Sequence, residues 1–250
     1  MNALLPVLFM PAVLVFCRIG GCLMVLPGFS SIRVPVRVRL FTAIALSVAL
    51  APLVWSSLPQ VSVSAPAPFY LFILTETLIG AFLGLLVRVL FSALEFMASA
   101  AAMSMGFGNM MGTPVTEAEP QAAFSAFLGM AAVVLFFLVN AHHAVLAGLI
   151  RSYDIIPPAG VLDPQQLLAR LGQRLNDAFL LVLRLGSPFI AYGILINLII
   201  GLLNKLTPQI PVYFISLPFV LAGGLLIAYF VFPSMLSLFI TAVPDKGFFH

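Results

Sequence analysis

From Phe69 to Met105 the sequence reads FYLFILTETLIGAFLGLLVRVLFSALEFMASAAAMSM, and apolar side chains make up most of it. The apolar positions are continuous rather than alternating, which predicts a buried or membrane helix. A helix of about 37 residues is about 55 Å long, whereas the hydrocarbon core of a bilayer is about 30 Å thick. We therefore expect this helix either to project beyond a single span or to break. Gly80 to Gly84 marks the place for a break or for a close contact with another helix.

The composition shows that most of the chain is surrounded by lipid or by other apolar protein. Hydrophobic residues make up 62% of the 250 residues, charged residues make up 8%, and the mean hydropathy is +1.19. A typical soluble domain carries about 25% charged residues. In apolar surroundings the backbone polar groups must be paired within helices or closed barrels. The predicted fold class is therefore all-α, a membrane-associated protein with about six apolar helical segments in long hairpins.

Four ionisable residues interrupt the apolar segments. They are Arg18, Glu76, Arg88 and Glu95, and the last two lie seven residues apart on one helical face. Charges at membrane depth are costly and face protein or water, so buried ion pairs are the simplest interpretation. A proton or ion relay is the alternative. It would make the chain a small-solute or ion transporter.

The long apolar segment ends in MSMGFGNMMGTP, Met103 to Pro114, which holds four of the ten methionines. Each of its three glycines costs a helix about 1 kcal/mol relative to alanine, and Pro114 stops a helix from continuing. Methionine is unbranched and polarizable and adapts to partners of different shape. The segment is predicted to be a deformable apolar loop. It suits a seal better than a catalytic site, although a passive buried connector has the same composition.

The basic residues give no consistent membrane orientation. If six segments each crossed the membrane once, each side would carry four basic residues in its loops. One side would hold Arg33, Arg37, Arg39 and Lys205, and the other would hold Arg151, Arg170, Arg174 and Lys246. The positive-inside rule orients ordinary polytopic proteins, so its failure is a reason to doubt that all six segments are ordinary spans. Arg33, Arg37, Arg39 and Lys205 are predicted to contact other subunits or the membrane surface.

Several classes of function are not expected. The chain has no Gly-x-Ser-x-Gly or His-Glu-x-x-His motif, so no catalytic residue is assigned and an enzyme is not expected. His142 and His143 diverge by about 100° on a helix and have no acidic or thiol ligand at suitable spacing, so no metal or cofactor is expected. No basic stripe with interleaved aromatic residues indicates nucleic-acid binding. Arg18 interrupts the first apolar segment, so we do not expect a cleaved signal peptide.

Six short stretches together resemble, in order and spacing, the FliR family of flagellar biosynthetic proteins. The stretches are Arg18 to Gly21, Pro27 to Leu40, Met105 to Gly112, Asn140 to His143, Ile156 to Pro158 and Gly201 to Gln209. The T-type export subunits of virulence injectisomes share the general layout and remain an alternative. The VPVRVR and NAHH stretches are closer to the flagellar branch.

The resemblance implies a non-enzymatic subunit of the flagellar type III export gate, located in the bacterial inner membrane at the flagellar basal body. The implied partners are the P-type and Q-type subunits in a hetero-oligomer, the B-type and A-type export subunits, the membrane, and unfolded flagellar proteins as cargo. The resemblance also implies one export-gate domain over residues 1–250. Within it, residues 1–177 would be a P-like helical portion and residues 178–250 a Q-like terminal hairpin.

In the family that this chain resembles, a loop at the position of residues 106–120 plugs the closed channel. Carried onto this sequence, the plug residues are Met103, Met105, Gly106, Phe107, Gly108, Met110, Met111 and Gly112. An apolar constriction blocks ions because a charge within it loses its hydration. Methionine side chains can repack around a passing chain, so the implied role agrees with the chemistry of the loop.

Overall fold

The computed structural model describes residues 4–31, 33–54, 66–107, 120–158 and 163–242, and every long regular element in these ranges is an α-helix. The helices are α1 (Leu4–Val25), α2 (Val36–Val54), α3 (Pro66–Ser104), α4 (Pro120–Leu138), α5 (Ala141–Ile155), α6 (Pro164–Leu206) and α7 (Val212–Ala242). The predicted all-α class is confirmed.

The number of helices differs from the prediction in two places. The apolar segment after the methionine-rich loop forms two helices, α4 and α5, because Asn140 adopts a left-handed backbone conformation with φ 59°. Asparagine tolerates this conformation better than most residues. In the second place, Asp163 as N-cap and Pro164 as first helical residue predict a separate amphipathic helix, with Leu168, Leu171, Leu175 and Phe179 on its apolar face. In the structure this helix and the apolar segment that follows it form one helix of 43 residues, α6.

The start of α6 follows the expected capping chemistry. The backbone N–H of Gln165 donates a hydrogen bond to Oδ1 of Asp163 over 3.0 Å, and Pro164 is the first helical residue. An aspartate before a proline satisfies one free N–H of the first turn, and the proline needs none. At the other end of α6, the N–H of Thr207 donates to the carbonyl of Leu203 over 2.9 Å before the turn into α7.

The long helix α3 is continuous from Pro66 to Ser104. A break at Gly80 to Gly84, one of the two alternatives, is therefore wrong, and these glycines instead allow close contact with α1. At a rise of about 1.5 Å per residue, its 39 residues span about 58 Å.

The helices form two compact units. Within the described residues, unit 1 contains α1, α2, α3 up to Val89, α5 and the first turns of α6, and its core includes Leu14, Ile19, Leu86 and Leu149. Unit 2 contains α3 from Leu90, most of α4, α6 from Leu175, and α7. The core of unit 2 includes Met97, Met105, Leu185, Phe189 and Phe239.

Four of the described helices are long and apolar enough to cross a membrane. They are Val36–Val54, Phe69–Ser104, Pro164–Leu206 and Val212–Phe239, and α4 with α5 would form a fifth, broken span. Much of their apolar surface is exposed: Phe219 and Tyr229 of α7 are 75% and 76% exposed. Apolar surface on this scale needs lipid or partner proteins to cover it.

Candidate functional site

A buried ion pair lies at the centre of unit 1. Arg18 of α1 and Glu76 of α3 are both fully buried, and the Nε–Nη2 edge of the guanidinium meets the carboxylate. Nε of Arg18 donates to Oε2 of Glu76 over 2.6 Å, and Nη2 donates to Oε1 over 2.9 Å. This two-pronged geometry joins a planar guanidinium to a planar carboxylate and is the strongest arrangement that such a pair adopts.

Glycine residues bring the two helices close enough for this pair to form. A Cβ atom on Gly80 would overlap the carbonyl oxygen of Arg18, and one on Gly21 would overlap the carbonyl oxygen of Thr77. One turn further along α3, a Cβ on Gly84 would lie 2.6 Å from the carbonyl oxygen of Cys22. The backbones of α1 and α3 are therefore in direct contact, as small residues allow in membrane helix pairs.

The end of α5 completes the surroundings of Arg18. Its Nη1 donates to Oγ of Ser152 over 3.0 Å, and its Nη2 donates to the carbonyl of Ile156 over 3.1 Å. The guanidinium carbon lies 3.9 Å from the centre of the Tyr153 ring. We call Arg18, Glu76, Ser152, Tyr153 and Ile156 the arginine clamp.

The hydrogen bonds of the clamp are nearly complete. The guanidinium uses four of its five N–H groups, and both carboxylate oxygens of Glu76 accept hydrogen bonds. A cation is also favourable beside the carbonyl end of α5 and over an aromatic face. Because Glu76 is fully committed to Arg18, the pair is suited to joining three helices and poorly suited to relaying protons or ions.

The other two ionisable residues predicted for ion pairs are placed differently. Arg88 and Glu95 are both exposed on α3. Arg88 and Glu95 take no part in the ion pair between Arg18 and Glu76. The side chain of Glu95 instead lies against Gly129 of α4. Its γ-carbon is 3.5 Å from the position that a Cβ atom on Gly129 would occupy. The structure thus does not bring Arg88 and Glu95 together.

In unit 2, α3 ends at the start of the predicted plug. Gly106 follows the helix with φ 91°, a left-handed conformation that glycine adopts without strain, and its N–H donates to the carbonyl of Met103 over 3.1 Å. Met105 is fully buried, whereas Met103 is 60% exposed. The ring of Phe107 stacks on that of Phe124 in α4, with centroids 6.1 Å apart. We call residues 103–107 the loop base.

Glycines of α6 and α7 fix the loop base and the turns of α3 before it. A Cβ on Gly224 would lie 2.6 Å from Cβ of Met105, and one on Gly193 would lie 3.2 Å from Cβ of Ser104. In the same way, Cγ of Met97 packs over Gly186. We call these three glycines the glycine seam. It holds the end of α3 by shape alone, without a charge.

Tyr192 adds one directional bond to this region. Its hydroxyl donates to the carbonyl of Val220 in α7 over 2.6 Å. The hydroxyl also lies against Gly223, because a Cβ atom on that glycine would stand 2.6 Å from it. The bond therefore joins α6 to α7 beside the contact of Gly224 with Met105.

The exposed side of the loop base faces an open apolar groove of about 610 Å³. Met103, Ser104 and the α6 residues Ile190, Gly193, Ile194, Asn197 and Leu198 line it. The remaining predicted plug residues, Gly108, Met110, Met111 and Gly112, lie outside the described residues.

The basic residues predicted for surface contacts lie at the surface, with one exception. Arg33, Arg37 and Lys205 are exposed, whereas Arg39 is half-buried and donates to the carbonyl of Ser31 over 3.1 Å. Among the described residues, no group of three or more His, Cys, Asp or Glu side chains could hold a metal ion.

Sequence reasoning missed the α5 part of the clamp and the role of Tyr192. A fully buried arginine needs more acceptors than one carboxylate offers, so a search for a serine or a free helix-end carbonyl could have found Ser152 and Ile156. The glycine seam had a weaker signal: Gly186 and Gly193 are seven residues apart, on one face of α6.

Comparison with known proteins covers nearly the whole chain. The family model described as bacterial export proteins, family 1, matches residues 9–244. The flagellar biosynthetic protein FliR of Caulobacter vibrioides is 27% identical over 219 residues, which are 86% of this chain and 85% of that protein. The protein of the same name from Aquifex aeolicus is 26% identical, over 87% of this chain and 83% of its own length. The FliR protein of Escherichia coli is 26% identical, over 83% of this chain and 78% of its own length.

Proposed function

The chain belongs to the bacterial export proteins, family 1, and from this membership we propose that it is a subunit of the flagellar protein-export gate. The match over residues 9–244 carries the proposal, since it leaves only the chain ends outside the family. In this role the chain forms part of the channel through which unfolded flagellar proteins leave the cytoplasm. It has no catalytic step of its own.

The proposed plug is the loop that begins at the loop base. Its start is anchored, because Met105 is buried against Gly224 and Phe107 stacks on Phe124. A plug needs such an anchor if it is to return to the same place after a substrate has passed. The anchor is apolar and contains two methionines, so it excludes hydrated ions without binding a particular cargo sequence.

The proposed setting is a hetero-oligomer in the bacterial inner membrane at the flagellar basal body. Its partners are the P-type and Q-type gate subunits, with the B-type and A-type export subunits as further neighbours. The exposed apolar surface of α6 and α7 supports this setting, because helices that expose Ile194 of α6 and Phe219 and Tyr229 of α7 need neighbours. In this assembly residues 1–177 correspond to the P-like portion and residues 178–250 to the Q-like hairpin. Arg33, Arg37, Arg39 and Lys205 contact partner subunits or the membrane surface.

Two alternatives are less well supported. A small-solute or ion transporter would need a charged group that can change partners, whereas Glu76 accepts two hydrogen bonds from Arg18 in a fully buried pair. The second alternative, a T-type injectisome subunit, is also an export-gate subunit and so is closer to the proposed function than a transporter is. The relatives from Caulobacter, Aquifex and Escherichia all carry a flagellar name, which favours the flagellar branch.

Deletion of residues 108–112 tests the plug while keeping the loop base intact. In flagellated cells that carry the full export assembly, we expect the deletion to raise the resting leakage of ions, measured with a membrane-potential dye. The physical reason is that the apolar segment that dehydrates ions is removed. A deletion of equal length at residues 57–61, in the uncharged stretch rich in proline and serine between α2 and α3, is the matched control and should leave leakage unchanged.

The export role has a separate readout. Cells that lack this chain should retain flagellar substrates in the cytoplasm, and the full-length chain should restore their appearance in the medium on immunoblots. Unchanged ion leakage after the 108–112 deletion would contradict the proposed plug but not the proposed export role. Secretion of flagellar substrates by cells that lack the chain would contradict the proposed export role.

A further inference from the structure

The long helix α3 leaves a narrow part of its surface open. In residues 79–95 four side chains are exposed, and every other residue of that range is buried or half-buried. The four exposed residues are Leu85, Arg88, Ser92 and Glu95. They follow one another at intervals of three and four residues, so they lie in a single row along the helix.

The row continues toward the start of α3 with the same spacing. Leu71, Leu74 and Leu78 are 61%, 56% and 52% exposed, and Ala81, which also falls on this spacing, is half-buried. We call Leu71, Leu74, Leu78, Leu85, Arg88, Ser92 and Glu95 the open stripe. Two contact positions in every seven residues is the pattern by which two long helices pack against each other. The open stripe is therefore one helix wide, and from its first to its last residue it is about 36 Å long.

We propose that the open stripe binds one α-helix of a partner subunit, and that this helix carries an acidic residue facing Arg88 and a basic residue facing Glu95. The inference rests on the hetero-oligomeric setting proposed above. It adds to that setting the surface and the charges by which one partner is recognised.

The mixture of charge and apolar surface selects a protein helix over lipid or water. Exposed apolar side chains lie on both sides of the two charges, with Leu85 on one side and Phe96, which is 67% exposed, on the other. Lipid tails over this surface would leave Arg88 and Glu95 in hydrocarbon without partners, which is costly. Water would solvate the charges and leave the leucines uncovered. A helix with matching residues covers both kinds of side chain.

The two charges also set which helix fits. Arg88 and Glu95 take no part in the ion pair between Arg18 and Glu76. They lie seven residues apart on α3, whereas ion pairs within one helix form over three or four residues. A partner helix without the matching charges would bury both of them unpaired, and one with a basic residue opposite Arg88 would be repelled. The pair therefore fixes the identity and the register of the bound helix.

The test uses the complete assembly, purified from native membranes in mild detergent. A photoreactive benzoylphenylalanine replaces Ser92, and mass spectrometry identifies the peptide or lipid that it captures on illumination. In parallel, Arg88→Glu reverses one charge of the open stripe, and quantitative mass spectrometry measures how much of each partner subunit stays bound. Arg151→Glu makes the same change at an exposed arginine of α5 and is the matched control. Circular dichroism measures the helix content of each variant.

We expect position 92 to capture an apolar helix of another subunit in which an acidic and a basic residue lie seven positions apart. Arg88→Glu should lower the retention of that subunit about tenfold, because like charges that face each other across an interface repel. Changing the acidic residue of the captured helix to arginine should restore retention in the Arg88→Glu background, and Arg151→Glu should retain the subunit fully. If Arg88→Glu lowers the helix content, Arg88→Gln replaces it and should show a smaller loss of the same subunit.

Several results would overturn the proposal. Position 92 would then capture a lipid, a second copy of this chain, or a helix that lacks the two charges. An equal loss of the subunit in Arg88→Glu and Arg151→Glu, or a charge exchange that fails to restore retention, would have the same meaning. These results leave the export role untouched, because secretion by cells that lack the chain tests it separately. Purification of the unaltered chain without any partner subunit would instead contradict the hetero-oligomeric setting, and this inference with it.

Discussion

The arginine clamp of unit 1 and the glycine seam of unit 2 hold helices together by opposite means. In the clamp, a fully buried guanidinium donates four hydrogen bonds to groups on two other elements, α3 and the end of α5. At the seam, Gly186, Gly193 and Gly224 bring backbones together without a charge, and Tyr192 gives a single hydroxyl bond to Val220.

The difference indicates which region can move. Charge-assisted hydrogen bonds are directional, so α1, α3 and α5 cannot shift in the clamp without leaving a buried charge unpaired. Contacts over glycine depend on shape only, and methionine on the opposite side can adopt several rotamers. The region that carries the loop base is therefore the one that tolerates small displacements. A plug that must open and reseal requires this property at its anchor.

The largest effect is expected from breaking the clamp. Arg18→Met removes the cation and leaves Glu76 as a buried, unpaired carboxylate, which should lower the free energy of unfolding by about 3–5 kcal/mol. Denaturant unfolding in mixed micelles, followed by circular dichroism, measures the loss. The matched variant is Arg18→Met/Glu76→Met, in which both charges are replaced by apolar side chains of similar length. It should recover most of the stability.

The double variant decides how the clamp is interpreted. If it is as unstable as Arg18→Met, the loss comes from the hydrogen bonds to Ser152 and Ile156 and from the ring of Tyr153. The buried charge would then not be the cause, and the contrast with the seam would rest on packing alone.

A smaller effect is expected at the glycine seam. Gly224→Ala places a Cβ 2.6 Å from Cβ of Met105, so one of the two must move, and the free energy of unfolding should fall by about 1–3 kcal/mol. Gly201→Ala on α6 is the matched control, because nothing lies within 4 Å of its Cβ position. There alanine should stabilise the helix by about 1 kcal/mol.

The two glycine variants also separate stability from gating. If Gly224 anchors the plug, Gly224→Ala should raise the resting ion leakage of the export assembly, whereas Gly201→Ala should not. Equal leakage in the two variants would mean that the close contact with Met105 serves packing only.

Much of the fold could be predicted because the apolar segments are long and continuous. Pattern and length predicted the helices, and capping chemistry predicted the start of α6 at Pro164. The break at Asn140 was missed because asparagine is not a strong helix breaker, and the sequence alone does not show that this residue adopts a left-handed conformation. The continuity of α6 past Pro188 was missed because proline usually ends a helix in the sequence patterns of soluble proteins.

The site could be predicted in part. The cost of a charge in an apolar segment singled out Arg18 and Glu76, but it also singled out Arg88 and Glu95, which are exposed. Pairing depends on which helix faces which, and sequence periodicity in a uniformly apolar chain does not report it. The same limit applies to α6, where Arg174 is buried while Leu168, Leu175 and Phe179 of the expected apolar face are exposed.

The smallest effect, and the sharpest test of the contrast, is expected at Tyr192. Tyr192→Phe removes the hydroxyl that donates to the carbonyl of Val220 and keeps the ring, so the free energy of unfolding should fall by only about 0.5–1.5 kcal/mol. The variant loses the bond that joins α6 to α7 next to Gly224, so local opening of α7 should become easier. Amide hydrogen exchange at Gly224, measured by mass spectrometry, should therefore be faster in this variant than in the unaltered chain. Unchanged exchange at Gly224 would mean that the hydroxyl bond does not hold α7 in place, and unit 2 would then depend on shape alone at the seam.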